Sequence, residues 1–213
     1  PHVPRALRWG IDSLYLSFPG RLSVEWDARL QGLKDLAQSE EPIDRGLAQL
    51  RLGEHIFEVS RRGRLQYKFL LLDAWYEIAI SSVASAALPL AWIKVSSRRL
   101  LDATPNEILA DLQGLLAPMG LGAAVESVSR VDLYVDFCEA PAVPLIDETQ
   151  WVTRCRKVSR YWDNGRVTGW SFGTRGTVSG RLYDKTIEIE RSGKDYLREI
   201  WRAAAWNGSE PVW

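Results

Sequence analysis

Histidine is nearly absent from this chain of 213 residues, which has only His2 and His55. This scarcity argues against histidine-based metal clusters, Ser–His–Asp triads and Cys–His dyads, all of which place a histidine at the reacting centre. The two cysteines, Cys138 and Cys155, provide no disulfide framework, so a reducing cytoplasmic location is expected. No glycine-rich loop of the nucleotide-binding types is present either.

Net charge and long apolar runs are also lacking. Basic and acidic side chains number 27 each, which argues against a strong non-specific polyanion binder but leaves room for a local basic face. The most apolar region, residues 69–92, is interrupted by Asp73, Glu77 and Pro89, so neither a membrane span nor a signal peptide is expected. A hydrophobic content of 46% is that of an ordinary globular protein.

The periodicity of apolar residues predicts one α+β domain with a mostly antiparallel central sheet and helices packed on it. Helices are predicted from Ser23, from the capping box Thr104-Pro-Asn-Glu107, over residues 194–205, and in a short segment ending near Arg156. Strands are predicted at residues 9–18, within 47–72, and at 76–83, 90–96 and 127–137. The Asp163-Asn-Gly165 turn predicts a hairpin over residues 158–172.

The most informative stretch runs from residue 170 to residue 190. It begins with a loop punctuated by glycines, and its second part, residues 181–189, alternates with period two and predicts a strand. That strand would place Arg181, Tyr183 and Lys185 on one face, with each cation about 7 Å from the tyrosine along the chain. Flanking cations favour a phenolate and attract a phosphate, so Tyr183 is a candidate nucleophile for a phosphodiester. The alternative is an ordinary half-buried strand tyrosine.

A second stretch, residues 129–137, predicts a strand with two different faces. One face carries Val131, Leu133, Val135 and Phe137 and is expected to be core; the other carries Arg130, Asp132, Tyr134 and Asp136. Two carboxylates on one face indicate a hard-metal site, although their separation of about 13 Å lets only one of them bind an ion directly. Asp132 is preferred as the ligand, with Asp136 anchoring an arginine, and a solvated or ion-paired sheet face is the alternative.

Basic residues are interleaved with aromatic residues in the next part of the chain, a pattern that suits single-stranded nucleic acid. Strand alternation predicts that Tyr161 faces the DNA and that Trp162 belongs to the core. A solvated helix end and hairpin is the alternative. The candidate DNA-binding residues are Arg154, Arg156, Lys157, Arg160, Tyr161 and Arg175.

Three motifs in this order resemble the Rep_trans family of rolling-circle replication initiators and related relaxases of plasmids and mobile elements. They are Arg130-Val-Asp-Leu-Tyr-Val-Asp-Phe137, Phe172-Gly-Thr-Arg175 and Arg181-Leu-Tyr-Asp-Lys-Thr-Ile-Glu188. The closing Glu210-Pro-Val-Trp213 resembles the start of a further family motif, Trp-Arg-Val-Glu. The chain is therefore expected to be a fragment that stops before its last strand, and to bind metal weakly or be inactive.

The resemblance implies a fold related to the RNA-recognition or palm topology and a nuclease that nicks one DNA strand at an origin. Tyr183 would keep a 5′-phosphotyrosine link, and Arg181 and Lys185 would stabilise charge on the phosphorane. Asp132, and Asp136 less directly, would be associated with Mg²⁺ or Mn²⁺. The implied partners are origin DNA, a host helicase, a host polymerase and a second copy of the chain.

Two other functions remain open on the sequence. One is a DNA-binding module without catalysis, such as a decayed initiator or a regulator of a mobile element. The other is a palm-type nucleotidyl transferase, which the spacing of Asp132 and Asp136 disfavours because that chemistry needs two carboxylates that converge on a metal pair.

Overall fold

The chain forms two compact units in a computed structural model that describes residues 4–85, 87–140, 143–173 and 176–213. The central unit is Ile11–Leu133, and the terminal unit joins the chain up to Gly10 to Tyr134–Trp213. Two long strands, β1 (Arg5–Phe18) and β7 (Ser127–Cys138), contribute residues to both units. That residues 1–213 act as a single initiator domain stays a prediction.

A large antiparallel sheet of seven strands, in the order β2-β3-β4-β5-β6-β1-β7, confirms the α+β class. The remaining strands of this sheet are β2 (Gln49–Leu52), β3 (His55–Val59), β4 (Phe69–Leu72), β5 (Tyr76–Ile80) and β6 (Ala91–Val95). The helices of the central unit are α1 (Val24–Gln38), α2 (Pro42–Gly46), α3 (Ser97–Asp102) and α4 (Pro105–Leu116), and a 3₁₀ turn follows at Ala117–Met119.

The core of the central unit lies between the sheet and two of these helices. Alternation places Leu14, Leu16 and Phe18 of β1 on the buried face, where they join Leu30 of α1 and Leu112 of α4. The predicted helix starts are confirmed: the Ser23 hydroxyl accepts from the Trp26 amide, and Thr104 and Glu107 form a reciprocal capping box.

The terminal unit contains a three-stranded antiparallel sheet and two short helices. The strands are β8 (Val158–Asp163), β9 (Arg166–Phe172) and β10 (Gly180–Tyr183), in the order β10-β9-β8. The helices are α5 (Lys185–Ser192) and α6 (Tyr196–Ala203). The hairpin predicted at Asp163-Asn-Gly165 is confirmed, because Asn164 and Gly165 both adopt positive φ, 49° and 77°, as a type I′ turn requires.

The prediction that residues 181–189 form one strand is wrong. Strand β10 ends at Tyr183 and helix α5 begins at Lys185, so Lys185 does not share a strand face with Arg181 and Tyr183. The physical reason is Asp184, whose carboxylate accepts from the Ile187 amide at 3.3 Å and so caps a helix at the point where the alternation suggested a strand.

The assignment of the core face of β7 is also wrong. Leu133 is 76% exposed, and Val131 and Val135 are about half exposed, whereas Asp136 is only 5% exposed. Alternation tells which residues share a face but not which face is covered. The Trp201 indole donates to the Asp136 Oδ2 at 2.9 Å within the terminal unit, and this hydrogen bond offsets part of the cost of burying the carboxylate.

The short helix expected before Arg156 is replaced by a 3₁₀ turn at Glu148–Gln150, and residues 151–157 have no regular secondary structure. The β-branched Val152 and Thr153 lower the helix propensity of this segment. A further 3₁₀ turn lies at Val143–Leu145. Within the described ranges of the chain, no helix has both the length and the apolar character that a membrane crossing demands.

Candidate active site

Tyr183 lies in a row of three residues that crosses the small sheet of the terminal unit. Gly169 of β9 pairs with Tyr161 of β8 on one side and with Tyr183 of β10 on the other. A Cβ atom added to Gly169 would lie 2.9 Å from the Tyr183 Cβ, closer than real Cβ contacts allow. A glycine is therefore required between the two tyrosines, and the row is a notch with aromatic side walls.

Lys185 contacts the Tyr183 hydroxyl directly. Its Nζ donates a hydrogen bond to the Tyr183 Oη at 2.9 Å and lies 5.2 Å from the centroid of the phenol ring. The chain brings these side chains together because the helix that Asp184 caps turns away from β10 immediately after Tyr183. The contact is closer than a strand would have allowed, since neighbours on one strand face are about 7 Å apart.

The Lys185 ammonium is buried, with its side chain only 10% exposed, and it lies 3.1 Å from the Glu188 Oε2. Burial by itself lowers the pKa of Lys185, but the hydrogen bonds and charges of Tyr183 and Glu188 outweigh it, and the net pKa is raised above its ordinary value. Lys185 is therefore a fixed cation at neutral pH. An ammonium that donates to a phenol oxygen favours the phenolate form of that phenol.

An open pocket of about 540 Å³ lies beside this pair, within the terminal unit. Strands β8, β9 and β10 and helix α5 line it, with Tyr161, Thr168, Gly169, Tyr183, Ile187 and Glu188 among its walls. Ion pairs fix two of its carboxylates, Asp163 with Arg191 and Asp184 with Arg166. The pocket therefore gives a ligand access to Tyr183 while most of the surrounding charge is already paired.

Arg181 is the second cation predicted beside Tyr183, the candidate nucleophile. It is exposed on β10, two positions before Tyr183 and on the same face of the strand. The structure thus brings Lys185 into contact with Tyr183 and leaves Arg181 at the open side of the same sheet.

The two predicted metal ligands lie in different units. Both oxygens of Asp132, in the central unit, accept from the Arg130 guanidinium. Asp136, in the terminal unit, is held by the Trp201 indole. The predicted roles, in which Asp136 would anchor an arginine, are thus reversed, because Asp132 has the arginine partner. Because both carboxylates are engaged, their geometry gives no support to a divalent site, and Mg²⁺ or Mn²⁺ binding stays a prediction.

Among the described residues, a different group brings three potential ligand atoms within 4.8 Å of one another: Cys138, Glu139 and Glu210. Arg5 pairs with Glu139 at 2.8 Å, and the Glu139 amide donates to Glu210 at 3.0 Å. Burial raises the pKa of the Cys138 thiol, with the Glu210 charge acting in the same direction. A protonated thiol between carboxylates is a poor match for Mg²⁺ or Mn²⁺, which prefer oxygen ligands.

The described members of the predicted DNA-binding set lie on β8 and in the segment that precedes it. Arg154, Arg156 and Lys157 are exposed in the segment before β8, and Arg160 lies against the Trp162 ring, 4.2 Å from its centroid. Arg175 lies outside the described residues. Among the members of this set that the structure describes, Tyr161 is the one that lines the pocket.

The prediction that Trp162 is core while Tyr161 is exposed is half right. Tyr161 is 52% exposed, but Trp162 is 55% exposed as well. The β8–β9 register shifts between these two residues, because Tyr161 pairs with Gly169 and Trp162 with Val167. This irregularity near the end of the hairpin, together with the stacking of Arg160, leaves the Trp162 ring outside the core.

Sequence reasoning missed three residues of the site: Gly169, Asp184 and Glu188. Gly169 resembled any glycine in a strand, although an isolated strand glycine often marks a close approach of another group. Asp184 carried the stronger signal, since aspartate is one of the preferred residues at a helix N-cap. Glu188 lies on helix α5, three residues after Lys185, and this helical spacing brings its carboxylate to the Lys185 ammonium.

No protein-family model matches this chain, and no curated protein matches it either. The resemblance to the Rep_trans family therefore depends on the sequence motifs alone.

Proposed function

We propose that this protein is a DNA-nicking enzyme of the rolling-circle initiator type, with Tyr183 as its nucleophile. One observation carries the proposal: the buried, charged Lys185 donates to the Tyr183 hydroxyl at 2.9 Å, at the wall of an open pocket. A tyrosine is a weak nucleophile at its free pKa and needs an adjacent group that favours the phenolate. Lys185 is such a group.

In the proposed reaction the Tyr183 Oη attacks the phosphorus of one phosphodiester, and the hydroxyl proton passes to water. The bond from phosphorus to the 3′-oxygen breaks, the 5′-phosphate stays on Tyr183, and the leaving oxygen takes a proton from water to become a 3′-hydroxyl. Lys185 is close enough to the Tyr183 oxygen to stabilise charge as the new bond forms, and Arg181 faces the same side. The released 3′-hydroxyl would prime a host polymerase.

No step is assigned to a metal, because Arg130 engages Asp132 and Trp201 engages Asp136. Adduct formation with and without a chelator will show whether the reaction requires Mg²⁺ or Mn²⁺. Origin DNA, a host helicase and polymerase, a second copy of the chain, the cytoplasmic location and the RNA-recognition or palm-like topology are proposals that come from the family resemblance.

A DNA-binding module without catalysis is the second candidate. The observation that favours it is the exposed basic segment of Arg154, Arg156 and Lys157 next to the exposed ring of Tyr161. Such a surface binds single strands whether or not a nucleophile is present.

A pool of randomised, fluorescently labelled single-stranded 40-mers separates the two candidates without knowledge of the origin sequence. We expect the chain, with Mg²⁺ or Mn²⁺, to form an adduct that survives SDS, and Tyr183→Phe to form none while its binding to the pool stays within a few-fold. A chelator should abolish the adduct if a metal assists. Binding of the pool without any adduct, with either metal, would instead establish the non-catalytic module.

A further inference from the structure

The notch formed by Tyr161, Gly169 and Tyr183 has the backbone spacing of a slot for one flat aromatic group. Neighbouring strands are about 4.8 Å apart, so two tyrosines on either side of a central strand are about 10 Å apart at their backbones. Stacked aromatic rings have centroids about 4.5–7 Å apart, and a ring held between two others therefore needs about 9–14 Å between the outer centroids. The backbone separation of the two tyrosines falls within this range, and Gly169 leaves the strand between them without a side chain.

Both walls of the slot are held in place before any ligand arrives. The hydroxyls of Tyr161 and Ser171 share a hydrogen bond at 3.1 Å, and Ser171 is only 1% exposed. Lys185 likewise holds the hydroxyl of Tyr183 through a hydrogen bond at 2.9 Å. A preformed pair of rings loses little conformational entropy on binding, which favours stacking of a ligand.

Tyr161 is also accessible to a ligand. Its side chain is 52% exposed on the edge strand β8, and it lines the same pocket of about 540 Å³ as Tyr183. Most carboxylates around the pocket are paired with cations, so the floor of the slot does not attract a phosphate by itself. A planar, largely uncharged group matches these walls better than an anion does.

We infer that the slot between Tyr161 and Tyr183 binds one unpaired nucleobase of single-stranded DNA, which positions the adjacent phosphate at the Tyr183 hydroxyl. This inference rests on the proposed function for its choice of ligand. Tyr161 is then a positioning residue that acts by stacking, and Gly169 is the residue that keeps the slot open.

The test uses equilibrium binding in a Tyr183→Phe background, which keeps the second ring and removes the proposed chemistry. Two probes of equal charge are compared, a mixed-sequence single-stranded 12-mer and an abasic 12-mer. Stacking on an aromatic side chain contributes about 1–3 kcal/mol per base, so Tyr161→Ala should weaken binding of the mixed 12-mer about 5- to 150-fold. Its binding to the abasic 12-mer should not change.

Tyr161→Phe keeps the ring and should retain the preference for the mixed 12-mer, which guards against a folding defect in the alanine variant. Tyr196→Ala is the matched control: it removes a partly exposed tyrosine of the same unit that does not line the pocket. An equal loss on both probes, or no loss on either, overturns the slot. Those results leave the adduct experiment untouched, so the failure of the slot and the failure of the proposed function are distinguishable.

Discussion

At the scale of single residues, the account depends on the contact between Lys185 and Tyr183. The sequence predicted that these two residues act together, but it predicted the wrong geometry, because period-two alternation continued through residue 189 and concealed the helix start at Asp184. Gly169 could not have been predicted. Its role depends on which residue of another strand lies opposite, and register is a property of the folded sheet.

Replacing Lys185 with methionine keeps a long side chain and removes the charge that faces the Tyr183 hydroxyl. We expect Lys185→Met to lower the initial rate of adduct formation about 10²–10³-fold, the usual loss when one charge-stabilising donor is removed. Lys194→Met is the control, because Lys194 faces the same Glu188 at 3.9 Å. Equal rates for the two variants would show that Tyr183 does not depend on its neighbouring ammonium.

Replacing Gly169 with alanine should displace Tyr183, because the new methyl group would lie 2.9 Å from the Tyr183 Cβ. Overpacking of this kind costs about 1–3 kcal/mol of unfolding free energy, and the adduct rate should fall as well. Gly180→Ala, in the same sheet, places its methyl group at an ordinary 3.6 Å from Phe172 and should be tolerated. Urea unfolding and the adduct assay together check the pair; a Gly169→Ala variant as stable and active as Gly180→Ala would refute the close approach.

At the scale of elements, local signals decided what the sequence could predict. The Thr104 capping box and the Asn164-Gly165 turn act within four residues, so both were predicted and both are present. The buried face of β7 was not predictable in this way. The side chain that contacts this face at Asp136 is Trp201, which lies 65 residues further along the chain. Elements with their own stop and start signals were predicted, and faces covered by distant segments were not.

The junction between β10 and α5 provides a test at this scale. Asp184→Ala removes the cap of α5 and the partner of Arg166, and we expect it to lower the unfolding free energy by about 1–2 kcal/mol. Asp195 stands at the same position of α6 but makes no side-chain capping bond, so Asp195→Ala should change the unfolding free energy by less than about 0.5 kcal/mol. Urea denaturation of both variants checks the difference. Similar losses would mean that Asp184 does not determine where α5 begins.

At the scale of the whole molecule, a net charge of zero means that the proposed affinity for DNA would have to come from a local surface. The exposed basic segment before β8 is the candidate, while Arg160 is engaged in stacking on the Trp162 ring. The sequence shows these cations as one cluster, but the stacking of Arg160 on Trp162 becomes visible only in the structure. Arg154 and Arg156 are therefore the better pair to replace.

Salt dependence measures how many phosphates these arginines neutralise. Each phosphate contact on a single strand adds about 0.7 to the log–log slope of affinity against salt, so Arg154→Gln with Arg156→Gln should flatten the slope by about 1.4. The same double replacement at Arg61 and Arg62, which are exposed in the central unit, is the control and should leave the slope unchanged. Titration of a single-stranded 12-mer from low to high salt provides both slopes. If the slope changes only when Arg61 and Arg62 are replaced, the DNA binds to the central unit.

The most direct test of the central claim is to identify the residue that carries the nucleotide. After nuclease digestion of the adduct, trypsin should release residues 182–185, Leu-Tyr-Asp-Lys, a peptide in which Tyr183 is the single tyrosine. The other six tyrosines of the chain fall on six other tryptic peptides, so mass spectrometry can tell all seven tyrosines apart. The account predicts a 5′-phosphonucleotide on the 182–185 peptide. A nucleotide on any of the other six peptides would contradict it.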